Sequence, residues 1–232
     1  MPLIHERALR GHTVGGWLDS FHTFSFGGFN DPSRMGFRSL RVINEDRVIP
    51  GAGFGEHFHE DMEILTYVIS GALRHEDSLG NGSTIRPGEI QRMSAGTGIT
   101  HSEMNASDTE VVHFLQIWIV PDRSDLPPSY EQKTIAAPDP SDPFTPIAVP
   151  QGGPNAVALH QDVSLFLVRL ADGQEASRTF GAGRAGFLQV VDGMVSIDDE
   201  RLVAGDGLQF DAVKSCTVTA RSDCTLMLFD LA

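Results

Sequence analysis

The sequence predicts an all-β protein built from two β-barrels in succession. Three observations carry this: short apolar runs broken by glycine and proline, no segment with apolar residues at helical spacing, and a faint internal repeat. The 24 glycines and 13 prolines cut the chain at close intervals, the punctuation of sandwiches and barrels. Runs at 64–69, 111–120, 164–170, 186–191, 215–219 and 225–231 have strand length and strand composition. The run 111–120 is too continuous to alternate and reads as a strand buried on both faces. The repeat aligns residues 64–73 with 186–195 and residues 86–91 with 203–208, in the same order at nearly the same spacing. Each half then reads as a strand, a glycine turn, a returning strand and a Gly-acid turn into the next strand.

Nine of the 13 prolines lie between Pro121 and Pro154. Proline cannot donate to a sheet ladder and stiffens extended chain. The expected division is therefore an N-terminal barrel over residues 1–135, a proline-rich linker over 136–154 and a C-terminal barrel over 155–232. A chain of 232 residues buries such cores without staples.

Asp and Glu outnumber Lys and Arg 31 to 17, for a net charge of −14. That charge opposes phosphate backbones and anionic lipid, which excludes direct nucleic-acid and membrane-surface binding. No apolar stretch approaches the ~20 residues of a membrane span. The opening residues lack the basic-then-apolar order of a secretory signal. Cys216 and Cys224 are too few for a disulfide framework and read as small core residues. A reduced, cytoplasmic setting is expected.

Eight of the nine histidines fall in the first 113 residues. Two clusters stand out, residues 51–63 with His57, His59 and Glu63, and residues 96–105 with His101 and Glu103. On a strand, residues i and i+2 share a face, about 6.6 Å apart. His57 and His59 therefore project together, as do His101 and Glu103. If the two strands are neighbours, three imidazoles and a carboxylate converge, a donor set suited to one divalent transition metal with positions left open. Glu63 is the competing carboxylate. It lies four residues past His59, about 13 Å along a regular strand, so it reaches the same point only through a sharp bend; Glu103 is favoured. His113 reads as a hydrogen-bonded core residue, and His22, within an aromatic run, as part of a wall. His5, His12, His75 and His160 are isolated and are assigned nothing. No dinucleotide, phosphate-loop or GxSxG pattern is present.

The two clusters resemble the motifs of the cupin superfamily. Gly51-x5-His57-x-His59-x3-Glu63, followed by Gly71, matches the first motif with one extra residue before the last glycine, and Gly98-x2-His101-x3-Asn105 matches the end of the second. A wider resemblance is to the pirins, especially bacterial pirin-like quercetin 2,3-dioxygenases. It is carried by residues 16–26, Asp31-Pro32, Met35-Gly36-Phe37, residues 40–46, His57-x-His59-x-Asp61-Met62-Glu63, residues 93–99, His101-Ser102-Glu103 and Gln116-Ile117-Trp118-Ile119. It covers most of residues 11–135. Pirins usually carry proline between the paired histidines; Phe58 stands there and is expected to narrow the pocket mouth.

The resemblance implies a bicupin, two double-stranded β-helix barrels of which the first holds one metal. The family's four ligands fall on His57, His59, His101 and Glu103. The metal implied is Fe(II), with Cu, Mn, Ni, Co or Zn compatible. The activity implied is cleavage of flavonols such as quercetin with O2, with ring opening and release of carbon monoxide. Glu103 is then the first candidate catalytic base and Glu63 the second. A monomer is expected. The alternative is a non-enzymatic metal- or redox-sensing partner of other proteins. The repeat sets Thr179, Gly181, Val218 and Ala220 at the positions of His57, His59, His101 and Glu103. A C-terminal barrel without metal is therefore expected, its interior closed by side chains such as Phe187, Phe210 and Val218.

Overall fold

The computed structural model describes residues 2–139, 141–211 and 215–232. Met1 and, within the proline-rich stretch, Pro140 lie outside the described residues. The chain is all-β, as expected. Among the described residues the only helix is a single 3-10 turn, Arg7–Leu9, and none is long and apolar enough to cross a membrane. All six runs anticipated as strands are strands, each within a residue or two of the expected bounds.

Two compact units divide the chain. One comprises residues 11–135 and 151–161; the other comprises residues 2–10, 136–150 and 162–232. The first unit has a seven-stranded antiparallel sheet in the order Ser129–Thr134, Glu89–Ser94, Glu63–Ser70, Val112–Ile119, Leu40–Val48, Leu18–His22 and Gly11–Gly15. Its second sheet has four strands, in the order Gly53–His59, Ile99–Asn105, Leu73–Asp77 and Gly82–Ile85. Val112–Ile119 sits centrally, paired on both sides. Its residues Phe114, Leu115, Gln116 and Ile117 are all buried, which is why this stretch does not alternate. Two apolar clusters anchor the unit. Val48, Val68, Leu73, Ile85, Val112 and Phe114 form one; Ile64, Met93, Ala95 and Ile99 form the other.

In the second unit, Cys224–Leu231 is central, between Ala185–Asp192 and Val163–Leu170. Its four-stranded sheet runs Glu175–Thr179, Ser215–Ala220, Met194–Ile197 and Glu200–Val203. Two features of this unit follow no signal read from the sequence. Leu3–His5 is a strand of it, paired with Gly207–Asp211. Inside the stretch read as a linker, Phe144–Val149 is another, paired with Val163–Leu170. Phe144, Thr145, Ile147 and Ala148 are buried there. Pro146 faces outward at a break in register, the place where a strand tolerates proline. Phe210 and Val218 belong to one large apolar cluster. Phe187 is buried elsewhere, with its ring edge-on to Phe229 at 6.2 Å.

Candidate metal centre

The site is assembled on one face of the four-stranded sheet of the first unit. His101 lies opposite His57 on one side and opposite Asp77 on the other; Glu103 lies opposite His75. Cross-strand partners share a face, and so do residues two apart along a strand. His57, His59, His101, Glu103, His75 and Asp77 therefore all project together. Gly53 permits the close approach of the first strand, because a Cβ there would stand 2.2 Å from the Glu103 carbonyl oxygen.

One nitrogen from each of His57, His59 and His101 lies within 4.8 Å of the other two. Their ring centroids are 4.3 to 5.0 Å apart. A second trio, His75, His101 and Glu103, meets the same limit, so His101 joins the two. His57 Nδ1 is 2.8 Å from the Gly55 carbonyl oxygen. It must donate there, which leaves Nε2 as the nitrogen that could serve a metal. Burial, and the neighbouring His57, push the His59 pKa down to about 4. Burial and the surrounding imidazoles push His101 down to about 2. Both rings are thus neutral near pH 7, with lone pairs available.

Glu103 is buried. Gln116 Nε2 donates to its two carboxylate oxygens at 3.0 and 2.8 Å, and Thr66 Oγ1 donates at 3.3 Å. Burial raises its pKa to about 7 against those bonds. The site therefore combines a buried carboxylate hydrogen-bonded by neutral groups, three clustered imidazoles, and an orphaned His101 Nε2 that is buried without a partner. That donor set fits a divalent transition metal: the cation would take the free lone pairs and offset the buried negative charge.

The site opens into a cavity of about 380 Å³ lined by His57, His59, Glu103, Gln116, Trp118 and Phe54, with Phe26, Ser20, His22, Asn44 and Asp46 on other walls. His22 is thus a wall residue, as its sequence context suggests. It donates from Nδ1 to Asn44 Oδ1 at 2.8 Å and accepts from Thr13 Oγ1 at 2.8 Å. Asp46 accepts a very short hydrogen bond from Ser20. Burial raises its pKa to about 7, and the nearby Glu103 and Glu45 add to the effect. His113 is hydrogen-bonded to Glu45 at 3.0 Å.

Glu63 is not brought to this cavity. After His59 the chain turns through Asp61, which takes φ 45°, a conformation that Asp tolerates better than most residues. Glu63 then begins a strand of the other sheet. Its carboxylate accepts from the backbone N and the Nδ1 of His160, both at 3.3 Å. Sharing a point with His59 required a bend; the bend exists, but it carries Glu63 away to His160. Phe58 does not line the cavity either. Adjacent residues on a strand face opposite ways, and Phe58 stands exposed over Gly98.

The sequence assigns no role to three residues at or beside the cavity: His75, which lies in no motif, and Asp46 and Gln116, which lie in stretches that carry the wider resemblance. Each has a weak signal, a polar residue in phase with buried apolar ones. His75 follows Leu73 by two, and Asn44 and Asp46 alternate with Val42 and Val48.

Two barrels of matching strand order, one with a histidine and carboxylate cluster on its inner sheet face, define a bicupin with a candidate metal centre. The chain belongs to the pirin family: the pirin model matches residues 4–119, and the model of the quercetinase C-terminal cupin domain matches residues 146–231. It is similar to the quercetin 2,3-dioxygenase of Escherichia coli strain K12, with 43% identity over 222 residues, 96% of this chain and 95% of that protein. The crystal structure of YhhW from Escherichia coli matches with a TM-score of 0.96 at 42% identity, covering 100% of this chain and 98% of that one. Bacterial pirin YhhW in complex with nickel(II), also from Escherichia coli, matches with a TM-score of 0.94 at 42% identity, covering 100% of this chain and 99% of that one.

Proposed function

We propose that this protein is a metal-dependent dioxygenase that opens flavonols such as quercetin with O2. His57, His59, His101 and Glu103 hold one divalent metal, Fe(II) first among the candidates, in the N-terminal barrel, and the C-terminal barrel holds none. The observation that carries the reading is the cavity itself. Its volume lies in the usual range for small-molecule sites, and its walls join an aromatic side, Phe26, Phe54 and Trp118, to the candidate ligands. A plugged barrel would favour the rival reading, a regulatory partner protein; an open aromatic chamber favours a planar aromatic substrate.

When bound, the metal would supply a Lewis-acidic open position for the flavonol 3-hydroxyl, which lowers the pKa of that hydroxyl and favours the electron-rich flavonolate over the neutral flavonol. The chain's own residues do the rest. The aromatic walls orient the ring system and exclude water. Glu103 is the ligand-side carboxylate on the cavity and takes the 3-hydroxyl proton. Gln116 and Thr66 hold that carboxylate in place. Flavonol and O2 give a depside and carbon monoxide. The test is oxygen uptake by metal-loaded protein. Uptake is expected with quercetin and at least tenfold less with the flavone that lacks only the 3-hydroxyl, since about 1.4 kcal/mol of lost transition-state binding suffices for that factor. Equal uptake with both would exclude chelation through the 3-hydroxyl.

A further inference from the structure

His75 carries no motif, yet its side chain is fully buried beside the candidate metal centre, and so is that of Asp77. Asp77 accepts at one carboxylate oxygen from Leu79 N at 2.9 Å and Asn81 N at 3.0 Å. Asn81 Nδ2 donates to both of its oxygens, at 3.1 and 2.9 Å. All of these partners are obligate donors, so the carboxylate is an acceptor throughout. Its Oδ2 lies 3.2 Å from His75 Nε2, and that nitrogen must carry the hydrogen. The reverse arrangement would set an imidazole lone pair against carboxylate lone pairs in a buried place.

A neutral imidazole has one N–H. With it on Nε2, the Nδ1 of His75 is a bare acceptor. That atom faces His101 Nδ1 at 3.4 Å, so His101 is the donor between them. The single hydrogen of His101 is then on Nδ1, and its Nε2 is left with an outward lone pair. This is the same nitrogen that is buried without a partner in the protein. Burial lowers the pKa of His75. Asp77 also titrates low, because the bonds from Asn81 and His75 outweigh its burial. Both shifts fit the neutral ring and ionised carboxylate. The Tyr130 ring lies against His75, centroids 4.9 Å apart, and its hydroxyl is tied to Ser83 and to Gln132, which keeps the imidazole from turning.

We infer that His75 and Asp77 are positioning residues that fix His101 as the Nδ1–H tautomer and so aim its Nε2 lone pair into the centre. The inference rests on the metal-binding reading above for its purpose, though the tautomer itself does not depend on metal. It also explains why His75, although it forms a close trio with His101 and Glu103, is not itself a ligand: both of its nitrogens are engaged. Outer partners of ligating histidines act in this way, and their loss costs about 10- to 100-fold in metal affinity.

The experiment has two arms, run on the full chain and on two variants. His75→Asn keeps an acceptor oxygen close to where Nδ1 stood. His75→Phe fills the space beside Tyr130 and offers none. Long-range ¹H–¹⁵N spectra of the metal-free protein read the tautomer, and chelator competition with nickel(II) reads affinity. Parent and His75→Asn are expected to show His101 protonated at Nδ1 and bare at Nε2. His75→Phe is expected to show mixed tautomers and nickel binding about 10- to 100-fold weaker. A parent spectrum with His101 bare at Nδ1 overturns the inference, even if His75→Phe fails to fold. Equal losses in His75→Asn and His75→Phe overturn it too, since packing would then be the whole role. If the parent takes up no nickel, the metal-binding reading falls, and the spectra alone decide the tautomer.

Discussion

The two units carry the same succession of strands in their four-stranded sheets and in the centres of their larger ones, but they fill the inner faces with opposite chemistry. Gly71 and Gly193 fix the alignment. Each closes the turn after a strand with φ 79°. Counting back five residues sets Thr66 against Leu188. The partners across the sheet then follow: Gln116 and Asn44 beside Thr66, Leu228 and Phe166 beside Leu188. Asp46 corresponds to Val168. In the smaller sheet, Asn105 opposite Leu73 corresponds to Ala220 opposite Val195. His101 and Glu103 therefore fall on Cys216 and Val218, and His57, opposite His101, falls on Arg178. His75 falls on Ile197. Nearly every polar position of the first unit is an apolar one in the second, and Phe166, Val168, Leu188, Ile197, Cys216, Val218 and Leu228 all lie in one buried cluster. Arg178 is the exception, stacked over Phe166 with its guanidinium carbon 3.9 Å from the ring centroid.

The difference shows what a polar interior costs a barrel. Burying a large apolar side chain contributes about 1.5–3 kcal/mol, and the second unit gains this at each position. The first unit buries carboxylates and amides there instead, which is unfavourable unless every group is paired. Its pairing is extensive, with Gln116 donating to Glu103, Ser20 to Asp46 and His22 to Asn44. Among the described residues of this unit, the buried side-chain atoms without a partner are the His101 nitrogen that faces the other imidazoles, the Trp118 indole Nε1 and the Gln91 amide oxygen.

The largest test of this contrast compares His101→Ala with Cys216→Ala. Metal content should fall from one per chain to near zero in the first variant and stay unchanged in the second. The second should lose only about 1 kcal/mol of stability, for a small cavity. Metal analysis after gel filtration reads both. Full metal content in His101→Ala would remove the distinction between the units.

How much of this contrast the sequence shows differs between motif and repeat. His57, His59, His101 and Glu103 were legible because strand geometry turns i, i+2 spacing into a shared face. The fold was legible from its apolar runs and turns. The repeat was legible only in outline. Matching letters set Val218 and Ala220 at the positions of His101 and Glu103, whereas strand pairing sets Cys216 and Val218 there. The discrepancy is two residues: Gln91 to Leu208 is a step of 117, and Asn105 to Ala220 is a step of 115. The shortening falls in the connection between those strands, where no letter match reports it. Leu3–His5 and Phe144–Val149 were missed for a related reason. Three residues, or six with a proline, carry too little pattern to reveal that a distant strand will pair with them. Asp46 and His75 were missed because a polar residue in phase with apolar ones ordinarily means a surface strand, and only the three-dimensional neighbours show the position to be interior.

Asp46 supplies the next test, since its counterpart Val168 cannot titrate. In the folded, metal-free protein its carboxyl holds its proton up to about pH 7, whereas the ordinary value is 3.8. The unfolded chain therefore loses that proton first. Stability from this group is intact below about pH 4 and declines as pH rises through 7. Asp46→Asn keeps an acceptor for Ser20 and removes the charge. Parent and variant should unfold alike at pH 4, and the variant should be more stable by on the order of 4 kcal/mol at pH 8. Urea unfolding at the two pH values measures this. A variant advantage that is the same at both would mean that folding does not raise the Asp46 pKa.

The smallest effect is expected at Glu63, and it separates the two carboxylates that the motif offers. Both are buried. Glu103 faces the imidazole cluster, whereas Glu63 sits behind the turn at Asp61 with His160 as its partner. In Glu63→Gln the amide oxygen still accepts one of the two hydrogen bonds from His160, and the other is lost. That loss should cost about 1 kcal/mol of stability and leave nickel affinity within about twofold of the parent, well short of the ~10- to 100-fold expected of a group that supports a ligand. Glu103→Gln, made alongside, should weaken nickel binding while keeping its bond from Gln116. If Glu63→Gln instead weakens nickel binding tenfold, the competing carboxylate reading returns and the turn at Asp61 must open when metal binds. If the two variants lose equally, position on the sheet face is not what selects the ligands.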